Sequence, residues 1–136
     1  MSEINFSKYI LQGTLTVTPA AGRNVTLHNL QISGANAISV AADTAGGRTT
    51  LSIYNSTVGA VNAGVANTTL NMSGCIATGV ALNHGRLTGN KFATVAINTT
   101  VVDTHPSTDD IEIIANAFSA TGNAVYLSQS TYNFRL

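Results

Sequence analysis

The chain has 136 residues and no formal net charge, six acidic side chains offsetting six basic ones; that length holds one domain with a continuous core and is too short for two. It is 44% hydrophobic and 9% charged, against roughly a quarter charged in ordinary globular domains, which argues against a disordered chain and a helical protein with Glu/Lys-rich faces. The cations Lys8, Arg23, Arg48, Arg86, Lys91 and Arg135 are scattered and form no stripe suited to a nucleic-acid backbone.

At the N-terminus, "MSEINFSKYILQG" lacks a basic stretch leading into a long apolar run, so it does not read as a secretory signal. No apolar stretch approaches the roughly 20 residues of a membrane span, and synthesis and folding in a cytosol are expected. Residues 1–22 read as an N-terminal cap, because a solenoid exposes strand edges and raw core at its open end. Ile4, Phe6, Tyr9, Ile10 and Leu11 crowd together there, and "TLTVTP" alternates up to Pro19. A short helical turn or a strand is expected around Asn5 to Gln12, with Pro19 and Gly22 marking the handover.

From 23 to 129 a short apolar alternation repeatedly enters a small polar turn and leaves as another apolar alternation. The clearest copies are "LHNLQISGANAISV", "CIATGVAL", "KFATVAI" and "AFSATGNAVYL". Such a period predicts an all-β solenoid, a parallel β-helix of about five coils. The coils fall at 24–48, 49–67, 68–85, 86–109 and 110–129, with 130–136 as a partial coil. Period-two alternation points Val25/Leu27, Leu51/Ile53, Leu70/Met72, Leu87 and Ile111/Ile113 inward.

Bends are expected at Asn29, Asn55, Gly74, Asn90 and Asn116, since Asn and Gly tolerate left-handed backbone angles. Stacked Asn side chains can also hydrogen-bond along the axis. The next inward residues are Ile32, Val58, Ile76, Phe92 and Phe118, and a third short strand ("AISV", "GVAL", "VAI", "AVYL") closes each coil. Loop insertions, "AADTAGGRTT" and "NTTVVDTHPSTDD", account for the uneven spacing. A sandwich or jelly roll is the alternative, although such folds carry more aromatic core than the 6% here.

Chemistry is harder to find. Cys75, the only cysteine, excludes an intrachain disulfide and reads as a small buried hydrophobe. His28 is expected to face outward and His84 to sit in the turn "NHG"; with His105 they show no metal-ligand spacing, and no metal or cofactor is expected. There is no phosphate loop and no nucleophile elbow. The Asn-X-Ser/Thr sequons at Asn24, Asn55, Asn67, Asn71 and Asn98 read as by-products of a turn-rich composition. Asp103, Asp109, Asp110 and Glu112 cluster in sequence, and paired carboxylates are what glycoside hydrolysis needs. They serve either as solvated acids of an insertion loop, as catalytic groups (Asp110, Glu112 and Asp103), or, through Asp103 with His105, as a cation site. At the C-terminus Tyr132, Phe134 and Leu136 share one face, which calls for a C-terminal cap or a subunit contact over 130–136.

The pattern apolar-x-apolar-x-Asn-x-x-apolar … Gly-Asn-Ala-Val/Ile-x-Leu, best seen in Val25 to Val40 and Ile111 to Leu127, resembles the right-handed parallel β-helix of the pectate-lyase-like superfamily. Low charge and richness in Ser, Thr, Asn and Gly look most like bacteriophage tailspike and tail-fibre modules. The resemblance implies a homotrimer in a virion, made in the host cytoplasm without membrane insertion, that meets surface polysaccharide and other virion proteins. A non-enzymatic attachment or stiffening role is the reading it favours. A polysaccharide depolymerase (hydrolase or lyase) using acids within 103–112 and a self-polymerising scaffold are the alternatives. Tyr54 and Tyr126 are the candidate carbohydrate contacts, since a ring face can stack on a sugar.

Overall fold

Strands and bends, and no helix, make up the described residues of the computed structural model, which are 2–6, 9–18, 22–35, 37–41, 47–97, 111–119, 124–127 and 134–135. Seven strands form one sheet in the order β1 (Ser2–Asn5), β4 (Asn24–His28), β7 (Thr49–Tyr54), β9 (Thr68–Ser73), β11 (His84–Thr88), β13 (Ile111–Ile114) and β16 (Phe134–Arg135). The second sheet stacks β2 (Ile10–Leu11), β5 (Gln31–Ile32), β8 (Thr57–Ala63), β10 (Ile76–Leu82), β12 (Lys91–Ile97) and β14 (Ala117–Phe118). On its far half β3 (Leu15–Val17) pairs with β6 (Ile38–Val40), β6 with β8, and β12 with β15 (Val125–Leu127). Every pairing is parallel, and the chain alternates between the sheets coil after coil. This is a parallel β-helix, and the antiparallel sandwich is overturned.

Burial follows the alternation that makes the strands. Along β7, Thr49, Leu51 and Ile53 are buried while their neighbours are half-exposed. Register then stacks like on like: Leu27, Ile53, Met72, Leu87 and Ile113 form one interior column, each at most 3% exposed. On the second sheet Val58, Ala77 and Phe92 are in register, and Phe92 meets the Phe118 ring at 6.1 Å. Past these residues the inward positions move three places on, to Val61, Val80 and Val95. That slip in the period of two bends the sheet.

The corner between the sheets is built from two residues per coil. The first is left-handed: Asn29 (φ 54), Asn55 (φ 50), Gly74 (φ 65), Gly89 (φ 64) and Ala115 (φ 55), and the N–H of each of the first four donates to the strand of the following coil. The second turns inward, so that Leu30, Ser56, Cys75, Asn90 and Asn116 face the interior one above another. Ser56 Oγ accepts from Leu30 N–H at 3.0 Å and donates to Tyr54 C=O at 2.8 Å. Asn90 Oδ1 accepts from Cys75 N–H at 2.8 Å, and its Nδ2 donates to Met72 C=O at 3.1 Å and to Asn116 Oδ1 at 3.0 Å. Asn116 Nδ2 closes the series on Leu87 C=O at 2.8 Å. Buried backbone groups that the turn takes out of the ladder are thereby satisfied.

Four expectations change. The left-handed bends of the later coils fall at Gly89 and Ala115, and Asn90 and Asn116, expected there, are the inward residues that follow. Ala77 takes the inward place expected of Ile76, which faces outward at 50% exposure, because a two-residue corner at Gly74 and Cys75 shifts the phase by one. The third strand of the middle coils is the continuation of the second across the bend, so β8, β10 and β12 are single strands of seven residues. His84 opens β11 and is buried, so it is part of the wall and not of a turn. The shortest coil is genuine: Gly85 lies opposite Leu70, fifteen residues earlier. At Gly85 (φ 143) a Cβ would collide with the Leu70 carbonyl oxygen, so only glycine fits that close approach.

Candidate functional site

The outer face of the first sheet carries the polar candidate. Its outward column at the strand ends reads Asn5, His28, Tyr54, Ser73 and Thr88 in register. Tyr54 is half-buried; its ring leans on the His28 imidazole at 5.3 Å and an interplanar angle of 31°. His28 faces outward as expected and meets Glu3 (Nε2 to Oε1, 3.1 Å), while Asn29 Nδ2 donates to Asn5 Oδ1 at 3.1 Å. Beside the ring, Asn71, Met72, Ser73, Arg86 and Thr88 complete a shallow depression of about 440 Å³. Asn71 Oδ1 accepts from Arg86 N–H at 3.2 Å. Thr88 Oγ1 has no hydrogen-bond partner among the described residues. One aromatic face, the neutral polar groups of Asn71 and Ser73, and the exposed Arg86 guanidinium are therefore held on rigid strands, with the Thr88 hydroxyl buried beneath them.

Arg86 Nε pairs with Glu112 Oε2 at 3.0 Å, the two residues lying opposite each other on β11 and β13. Of the proposed acids, Glu112 is thus engaged, and Asp103, Asp109 and Asp110 lie outside the described residues, as does His105. Tyr126 is on β15, opposite Ala96 of the second sheet, so it is on a different sheet from Tyr54; its side chain is outside the description. Phe134 stands opposite Ile111 in the backbone register, and Tyr132 and Leu136 lie outside the described residues. Among those residues no group of three or more His, Cys, Asp or Glu side chains converges on a metal position.

Cys75 is buried, with Sγ 3.3 Å from Ile53 C=O and 3.4 Å from Ser73 C=O. Desolvation by burial pushes its thiol pKa up, outweighing the opposing backbone hydrogen bonds. A neutral thiol facing carbonyl oxygens is a poor nucleophile.

A surface feature larger than this depression is on the other sheet. Where β8, β10 and β12 bend, their outer side is concave, and an open groove of about 860 Å³ runs along the stack. One row along it is Ile10, Gln31, Thr57, Ile76, Lys91 and Ala117, joined by register across successive coils. Small residues, among them Gly34, Gly59, Thr78, Ala93 and Ser119, also line it. Ile10 and Ile76 are large apolar side chains left 72% and 50% exposed in it. The sequence reading misses the groove because it assigns Ile76 to the interior. The signal that locates it is the outward residue after each corner, read once the corner length is known. No protein-family model, curated protein or solved structure matches the chain.

Proposed function

We propose that this β-helix is a non-enzymatic structural and attachment module that presents the Tyr54 face of its first sheet to neutral surface carbohydrate. The observation that carries the reading is the depression of Tyr54, Asn71, Ser73, Arg86 and Thr88. A ring face beside neutral hydroxyl and amide groups matches the alternating apolar faces and hydroxyl edges of a sugar. Among the described residues, parallel pairing on both sides of ten of the sixteen strands gives the surface the stiffness that repeated low-affinity contacts require. Glu112, held by Arg86, is part of the wall in this reading and takes no acid–base role.

By its resemblance to tailspike and tail-fibre modules, the chain belongs in a phage virion as a homotrimer, with Tyr132, Phe134 and Leu136 at the subunit contact and other virion proteins as neighbours. Binding of the purified protein to arrayed neutral polysaccharides tests the carbohydrate reading. Tyr54→Ala is expected to weaken the bound glycan about five- to tenfold, with Tyr54→Phe close to wild type. Unchanged binding by Tyr54→Ala, or no glycan bound, overturns it. Light scattering is expected to report three copies, and a monomer removes the virion assignment.

A further inference from the structure

We infer that the groove on the second sheet is a binding site for a single extended acyl chain ending in an anionic group, with the ammonium of Lys91 taking the head. The site lies on a different sheet from the Tyr54 face, so the two stand or fall separately.

Shape selects an extended ligand. The outward row from Ile10 to Ala117 crosses five strand steps, about 24 Å at the ~4.8 Å spacing of paired strands. A volume of about 860 Å³ spread over that length leaves a cross-section of roughly 36 Å². An α-helix, about 10 Å across with its side chains, could seat only one edge in it, whereas a single extended chain can follow its full length.

Chemistry then selects among extended chains. The groove runs across the strands, and β10 already pairs with β8 on one side and β12 on the other, so no sheet edge is offered to a peptide. A peptide's amides would be desolvated against Ile10, Ile76 and Ala93, which offer them no hydrogen-bond partner, and that is costly. A polymethylene chain has nothing to leave unsatisfied. Lys91 is the one charged side chain among the described residues lining the groove, and no acid faces it there. An ammonium beside an apolar trough complements a carboxylate on an alkyl tail.

Position sets the length. Lys91 is one row from Ala117, so the tail runs the other way, over Ile76, Thr57 and Gln31 to Ile10. Those four steps cover roughly 19 Å, the reach of about 15 carbons in an extended zigzag at roughly 1.25 Å of advance per bond.

Calorimetric titration with straight-chain alkyl carboxylates of ten to eighteen carbons, each below its micelle concentration, tests this. One chain per protein is expected, with affinity rising about two- to fourfold per added methylene and levelling off near 15 carbons. Lys91→Glu is expected to lose at least tenfold for carboxylates and to gain for alkyltrimethylammonium ions of equal length. Ile76→Asn is expected to weaken both. Both residues are surface-exposed, and wild-type melting curves for the variants confirm that the fold is retained. Equal affinity for carboxylates and trimethylammonium ions, no dependence on chain length, or sedimentation with anionic phospholipid vesicles in place of monomer binding overturns the assignment.

Discussion

Asn90 shows how much a single residue of this fold carries. It is 2% exposed and serves three backbone or side-chain partners in two neighbouring coils. Replacing it by Ala strands the Cys75 N–H in the interior and removes the donors to the Met72 carbonyl and Asn116 Oδ1, and an unsatisfied buried group costs free energy. Asn90→Ala is expected to lower stability by about 2 to 4 kcal/mol, measured as a shift in the urea midpoint; an effect below about 1 kcal/mol contradicts the account. Cys75 beside it gives a pH dependence of definite sign. The unfolded thiol loses its proton near pH 8.5 or so, whereas burial makes the folded one hold on longer. Between those values the unfolded state binds fewer protons, so stability is full below the unfolded value and falls as pH rises through the folded one. Denaturation from pH 7 to 10 should show a steeper alkaline loss for wild type than for Cys75→Ala, and identical slopes contradict it. At this scale sequence reading placed Cys75 inside, as a small hydrophobe at a rung position, and His28 outside, by its alternation with Val25 and Leu27. It misplaced Ile76, because a two-residue corner and a one-residue corner look alike until register is known.

Among the elements, β8, β10 and β12 are seven residues long, with six register pairs joining each to the next, whereas β2 and β14 contribute two residues apiece. Each coil touches only its neighbours, so stability is local and declines toward the ends. The first coil is held through β1 and β4, with the Glu3–His28 pair and the Asn5–Asn29 hydrogen bond on their exposed faces. Hydrogen exchange should therefore be slowest in β7 to β12 and fastest in β1 and β2, resolved peptide by peptide; uniform protection would contradict nearest-neighbour coupling. The inward alternations of the first sheet were legible in the sequence, since Leu51/Ile53, Leu70/Met72 and Ile111/Ile113 are strict period-two pairs. The second sheet was only half legible. Its bend breaks that period between Val58 and Val61, and one long strand then reads as two short ones.

For the whole molecule, the repeat announced parallel stacking, because nothing else places so many like residues at so loose a period. The spacing is uneven because the circumference changes from coil to coil. The 15-residue step from Leu70 to Gly85 closes through Asn83 alone, between β10 and β11. Arg48, by contrast, steadies a longer return by donating from Nε to Thr69 Oγ1 at 2.9 Å and from Nη2 to Thr68 C=O at 3.2 Å. Circumference is free to vary because only the strands are held in common. What the stack keeps constant is the direction of its hydrogen bonds, which lie along the axis while the covalent chain winds around it. A load applied lengthwise therefore falls on a few non-covalent links at a time and peels the rod rung by rung. A load across the axis falls on the covalent chain within each rung, so the molecule resists being pulled apart sideways far better than lengthwise.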